Sequence, residues 1–188
     1  MTPIRVESSV VEPVSVAEMR AYLRLDPDDG GAEDALIGSL IGAARAALER
    51  ETRRLLVPGR YRIALPSRPP DGILPLPLSP LAGVTRAALA EAGGALSDLP
   101  EGSVQVGSDG LEGPCLLFAS ALPPLGGRTL LVEVEAGFGT AAFPLPLPLA
   151  LAIRRLAAGW FEHRGDEPEA GLPATVAALL APYRWRRL

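Results

Sequence analysis

Hydrophobic and polar positions alternate along this chain in two different rhythms. In the segment VSVAEMRAYLRL, Ser15 stands three residues before Glu18, ahead of an apolar run. That spacing is a capping box: each side chain satisfies a backbone N–H that the first turn of a helix leaves free. A helix is predicted over residues 16–25. DPDDGGAED then supplies turn residues and carboxylates suited to the positive end of a following helix. Over residues 32–55, Leu36, Leu40, Ala44 and Leu48 recur every fourth position with Ile37 and Ile41 beside them, one apolar stripe of a long helix.

From 58 to about 139 the helical period disappears. Prolines and glycines punctuate short runs that read as strands: RYRIAL, VTRAALA, SVQV, CLLF and TLLVEVEAGFG. EAGGAL suits a hairpin turn, and RPPDGILPLPLSPL is too rich in proline for a central strand, so an extended arm or edge segment is predicted there. After FPLPLPL the helical rhythm returns. Leu145 and Leu147, each before a proline, should be extended, with Pro148 starting a helix whose buried stripe is Leu149, Ile153, Leu156 and Trp160 and whose Arg154 and Arg155 face outward. A last helix starts near Pro173. The predicted fold class is α+β: a small bundle of about four helices, with a helical body at 15–57 and 144–182, a β-rich insertion at 58–140 and a tail at 183–188, all in one domain.

Composition narrows the chemistry. A chain of 188 residues can bury about 70% of the surface its unfolded form exposes. With 48% hydrophobic but only 5% aromatic residues, its apolar material favours helix packing and short strands over an aromatic-lined pocket. All 18 basic residues are Arg, so a Walker-type Lys, a Schiff base and a Ser-Lys dyad are excluded. One His excludes HExxH sites, and one Cys excludes CxxC pairs and intrachain disulfides. No cofactor and no metal site are expected. A net charge of -4 and a pI near 5.1 argue against gripping nucleic acid over a broad basic face. The opening MTPIRVESSV lacks the pattern of a signal peptide, and no apolar run is long enough to span a membrane, so a soluble protein made in a reducing cytoplasm is expected.

Few residues invite a catalytic assignment. His163, in WFEHRGDEPE, has Glu162 beside it and Asp166 three residues on, as a general base with an orienting partner would. The end of a helix explains it better, because the macrodipole favours both His163 and Arg164 there. Glu133 and Glu135 alternate with Val132 and Val134, placing two carboxylates on one strand face. A carboxylate-dependent hydrolase could use such a pair. The stretch lacks aromatic sugar platforms, and an outward polar face is the better reading. Cys115 reads as a small buried hydrophobe, and GFG at 137–139 as the turn leaving a strand. Arg45, Glu49 and Arg53 form a possible charged ladder on the long helix. The tail YRWRRL combines Arg with Tyr and Trp, the residue types of interface hot spots.

The order of these elements resembles the head-tail connector (adaptor) proteins of long-tailed phages and of gene transfer agents. The resemblance covers nearly the whole chain and rests on Leu23 and Arg24 before the acidic loop, Asp34-Ala35-Leu36-Ile37, Ala43-Ala44-Arg45, Gly137, Arg164 and Pro182-Tyr183-Arg184. It implies a virion protein with no catalysis: a homo-oligomeric ring, usually of twelve subunits, docked beneath the portal protein and extending the channel through which DNA passes without sequence-specific binding. It also implies production in the bacterial cytoplasm, a place at the head-tail interface, a stopper or tail-completion protein as the next partner, and no membrane. On this resemblance the long helix and the Trp160 helix build the ring body, and the β insertion faces the tail side or lines neighbours. Tyr183, Arg184, Trp185, Arg186, Arg187 and Leu188 are the candidates for portal contact. Arg45, Glu49, Arg53, Arg154 and Arg155 are the candidates for the subunit boundary, where a closed ring uses two different faces of each copy. The alternatives are the stopper or tail-completion protein of the same particle and, from a different class, the hydrolase built on Glu133 and Glu135.

Overall fold

The computed structural model describes residues 2–8, 11–26, 30–91, 93–164 and 171–185. It is α+β, with four α-helices and two antiparallel sheets among these residues. The chain divides into two compact units, Met1–Ser9 with Val57–Pro144 and Val10–Leu56 with Leu145–Leu188.

The first unit is all β. Its strands are β1 (Ile4–Ser8), β2 (Gly59–Leu65), β3 (Ile73–Pro75), β4 (Leu81–Ala90), β5 (Leu96–Asp98), β6 (Val104–Val106), β7 (Cys115–Phe118) and β8 (Thr129–Ala136). Five of them form a sheet in the order β1-β2-β8-β4-β5, and three form a second sheet in the order β3-β7-β6. β8 occupies the centre of the larger sheet, and its alternation explains why: Leu130, Val132, Val134 and Ala136 are buried while Glu133 and Glu135 lie on the opposite face. β2 alternates in the same way, burying Tyr61, Ile63 and Leu65. The five runs read as strands are all strands, EAGGAL closes the β4–β5 hairpin, and the proline-rich segment supplies only the edge strand β3.

Two details of this unit depart from the sequence pattern. β1 was not anticipated: its partner β2 lies more than fifty residues along the chain, with Ile4 opposite Arg62, so no local signal pairs them. Cys115 is half-buried, because Leu116 and Phe118 hold the inward positions of β7 and leave Cys115 on the alternate face, against Gly107. Gly137 ends β8 at φ +115, donating its N–H to the Pro80 carbonyl at 2.8 Å. That is the predicted turn.

The second unit is helical: α1 (Val16–Leu23), α2 (Asp34–Thr52), α3 (Leu147–Glu162) and α4 (Ala174–Leu180), closed by a 3-10 turn at Ala181–Tyr183. The capping box is present. Glu18 N–H donates to Ser15 Oγ at 3.1 Å, and Ser15 N–H donates to Glu18 Oε2 at 2.8 Å. These bonds from the Ser15 backbone and hydroxyl hold the Glu18 carboxyl below its ordinary pKa, with Arg154 adding to the effect. A depressed pKa gives stability that is present above the unfolded-state value and is lost as pH falls through the folded one. The stability difference between the native chain and Glu18→Gln is therefore expected to shrink in urea titrations as pH drops below the ordinary glutamate range. Ser15→Ala should cost about 1 kcal/mol at neutral pH in the same assay.

On α2 the buried stripe is Ile37, Ile41, Ala44, Leu48 and Thr52, and Leu36 is 37% exposed. A strict four-residue spacing drifts about 40° per step, so Leu36 slides off the face that Ala44 and Leu48 occupy, while Ile37 and Ile41 stay on it. α3 begins one residue early, at Leu147, with Pro148 in its first turn, where a missing N–H costs nothing. Trp160 was expected in the buried stripe of α3 and is instead 38% exposed. At that end of the helix the packed face has moved by one position to Ala157 and Phe161, which line an apolar gap with Met19, Leu23, Ile37 and Leu40. Among the described residues no helix is long and apolar enough to cross a membrane.

Candidate assembly surfaces

The end of the chain is built into the helical unit. α2 stops because Arg53 takes up the left-handed conformation, φ 57, which turns the backbone and sends the next side chain inward. Arg54 is only 2% exposed, and its Nε donates to the Tyr183 carbonyl at 2.7 Å. The Trp185 N–H donates to the Thr52 carbonyl at 2.9 Å, one of the carbonyls that a helix C-terminus leaves without an internal donor. Arg184 forms an ion pair with Glu51. Residues 183–185 are thus held by Glu51, Thr52 and Arg54, on and just after the last turn of α2. Arg186, Arg187 and Leu188, the rest of the candidate tail, lie outside the described residues. Nothing in ETRRLL marks Arg54 as the one Arg to be buried.

The charged ladder of α2 is reorganised. Arg45 forks onto Glu12, with Nε to Oε2 at 2.7 Å and Nη2 to Oε1 at 3.1 Å, while its Nη1 reaches Glu49 at 2.8 Å. Hydrogen bonding to Glu12, foremost, raises the Arg45 pKa above its already high ordinary value. Glu49 spends its other oxygen on the Leu56 N–H, at 2.8 Å, which fixes the segment after α2. Arg53 does not extend the ladder, since its left-handed backbone carries the exposed side chain away. Arg154 reaches Glu18 from α3 at 3.1 Å, and its buried Nε has no hydrogen-bond partner among the described residues. Arg155 is exposed. Of the five boundary candidates, Arg45 and Glu49 are brought together and spent within the unit, Arg154 is partly spent, and Arg53 and Arg155 face outward.

The sites weighed for catalysis have structural roles. His163 caps α3, with its backbone N–H and its Nδ1–H both donated to the Gly159 carbonyl, at 3.0 and 2.9 Å. Arg164 stacks on the Phe161 ring and pairs with Glu33 at 2.9 Å. Asp166 lies outside the described residues. Glu133 accepts from Arg62 Nε and Nη2, at 2.9 and 2.6 Å, and sits across β4 from Arg86, which Asp98 holds at 2.7 Å. The Asp98 bond raises the Arg86 pKa. Glu133 is thus part of a row of alternating charges, Arg62, Glu133, Arg86 and Asp98, running across β2, β8, β4 and β5. Among the described residues no group of three or more His, Cys, Asp and Glu could hold a metal ion.

No protein-family model and no curated protein matches the chain. Solved structures do. A chain in the neck of an empty gene transfer agent particle, computed with C6 symmetry, is 32% identical, with a TM-score of 0.77, over 96% of this chain and 95% of that one. A chain in the native gene transfer agent virion is 31% identical, with a TM-score of 0.77, over 100% of this chain and 97% of its own. The chain belongs to the neck proteins of gene transfer agent particles. A third structure, a native neck computed with C12 symmetry, agrees at 31% identity and a TM-score of 0.74, with the same coverage as the virion chain. The neck protein is a structural component of the particle at the head-tail interface and not an enzyme. Its polar groups fit that role, since carboxylates, guanidinia and the one imidazole are spent on caps, turns and cross-strand pairs.

Proposed function

We propose that this neck protein is the head-tail connector, or adaptor: a subunit of a ring of twelve that docks beneath the portal and continues the DNA channel toward the tail. Its helical segments supply the ring body, and residues 183–188 meet the portal. The observation that carries this is the end-to-end match to a chain of a native neck treated with C12 symmetry. Independent support comes from the start of the tail, because Arg54 and Thr52 hold Tyr183 and Trp185 at a fixed point, which lowers the ordering cost of a contact made there. Next comes a stopper or tail-completion protein, and DNA passes without sequence-specific contacts.

Co-sedimentation of the purified protein with the portal ring of its particle, followed by imaging, tests this. A ring of twelve copies stacked on the portal is expected, and removal of residues 186–188, which spares the clasp at 183–185, should weaken the stacking while leaving the subunit folded. A six-copy ring that binds only to an already occupied portal would assign the protein to the stopper position. Undiminished portal binding by the truncated chain would remove the tail from the interface.

A further inference from the structure

Among the described residues most arginines are engaged. Arg62 pairs with Glu133, Arg86 with Asp98 and Arg164 with Glu33, and Arg54 is bonded to the Tyr183 carbonyl. Arg24, Arg50, Arg53 and Arg155 are exposed and, among the described residues, have no hydrogen-bond or ion-pair partner for their side chains. Two of these four fall in one place. Arg50 lies in the last turn of α2 and Arg53 ends it, interleaved with the residues that hold the tail: Glu51 pairs with Arg184, Thr52 accepts from the Trp185 N–H, and Arg54 donates to Tyr183. The neighbouring carboxylates are already taken. Glu49 has one oxygen on Arg45 and the other on the Leu56 N–H, and Glu51 is held by Arg184. A helix C-terminus favours cations, which accounts for finding arginines at these positions. It does not account for their lacking carboxylates in a chain whose acids outnumber its bases, 22 to 18.

We infer that Arg50 and Arg53 extend the portal-facing surface outward from the clasped tail and dock on carboxylates of the portal protein. The inference rests on the portal contact proposed above and names its chemistry. Beside the two guanidinia lie two half-buried aromatic side chains, Tyr183 and Trp185, whose backbone is fixed on α2. Arg, Tyr and Trp are the residues that dominate protein interfaces, and a backbone that is already ordered lowers the cost of binding. A guanidinium presents a planar fork of donors that meets a carboxylate with two parallel hydrogen bonds. Repeated around the ring, the patch becomes a circle of positive charge that an acidic portal surface complements. DNA suits it less well. A net charge of -4 repels phosphates at a distance, and the backbone of a duplex offers little apolar surface to Tyr183 and Trp185.

Co-sedimentation of the full-length protein with the portal ring across a salt series tests this. A variant carrying Arg50→Gln and Arg53→Gln is expected to bind about tenfold more weakly at low salt, with a flatter dependence on salt than the native chain. Arg50→Lys with Arg53→Lys keeps the charge but not the fork, and should recover part of that loss. Arg24→Gln removes an exposed charge at the end of α1 and should bind as the native chain does. Protection of the Trp185 amide from hydrogen exchange is expected to be unchanged in the double Gln variant. Weaker binding accompanied by lost protection would assign the two arginines to the clasp and overturn the inference. Native-like binding by the double Gln variant at every salt concentration also overturns it and leaves the portal contact standing. If the native chain does not bind the portal ring, both fall. Native-like portal binding together with weakened retention of a short DNA duplex would assign the patch to DNA instead.

Discussion

Replacing Gly137 with alanine is expected to prevent the β unit from folding, so that the variant collects in the insoluble fraction or unfolds at far lower urea than the native chain. Two costs coincide. At φ +115 the backbone lies where side-chain-bearing residues are rarely found, a strain of about 1–3 kcal/mol. A Cβ there would also overlap the Val57 carbonyl and press on Pro58 Cα at 3.0 Å, both backbone atoms of the segment entering β2. Backbone cannot rotate aside as a flexible side chain can, so the total should reach about 4 kcal/mol or more, a large share of the usual 5–15 kcal/mol of a domain. Gly94→Ala is the control. It also has positive φ, +84, but open space around its Cβ, so it should lose only about 1–2 kcal/mol. Equal losses in the two variants would show that the contact with Val57 contributes nothing.

The second large effect is expected at Arg54. Arg54→Leu keeps most of the buried volume but leaves the half-buried Tyr183 carbonyl without its donor. Loss of a hydrogen bond to a charged donor costs about 1.5–3 kcal/mol, and loss of the clasp should also free the Trp185 N–H from Thr52. A combined loss of about 3 kcal/mol lowers Tm by roughly 2–4 °C per kcal/mol in a chain of this size. Hydrogen exchange at the Trp185 amide gives the sharper readout, with protection lost in Arg54→Leu and kept in Arg53→Ala. The neighbouring substitution, at an exposed side chain, should stay within about 0.5 kcal/mol of the native chain. Unchanged Trp185 protection in Arg54→Leu would mean that Thr52 holds the tail without help. Portal binding should weaken in parallel with the loss of protection if the tail must be presented from a fixed point.

Much of the local structure was legible because its causes lie within a few residues. Ser15 and Glu18 need only each other to start α1, and His163 needs only the carbonyl four residues back to end α3. Val132 and Val134 alternate with Glu133 and Glu135, which is enough to place β8 with one face in and one out. The order of these elements along the chain carried the resemblance to connector proteins, and the neck structures agree with it at the level of the family.

What the sequence by itself determined, then, was the kind and order of elements, the absence of most catalytic templates and the class of particle component. Backbone sterics and side-chain periods act over one or two turns, so neighbouring residues suffice to specify them. Only the tertiary structure decided that Arg54 is buried beneath residues 183–185, that Glu49 holds Leu56 in place of Arg53, that Trp160 stays exposed, and that β1 pairs with β2 at the edge of the larger sheet. Each of those outcomes depends on which distant donor, acceptor or apolar face arrives to satisfy a group. Ile4 meets Arg62, and Arg54 meets Tyr183 across 129 positions of chain. No periodic pattern encodes such pairings, because many guanidinia and carbonyls are locally equivalent and only the folded chain selects among them.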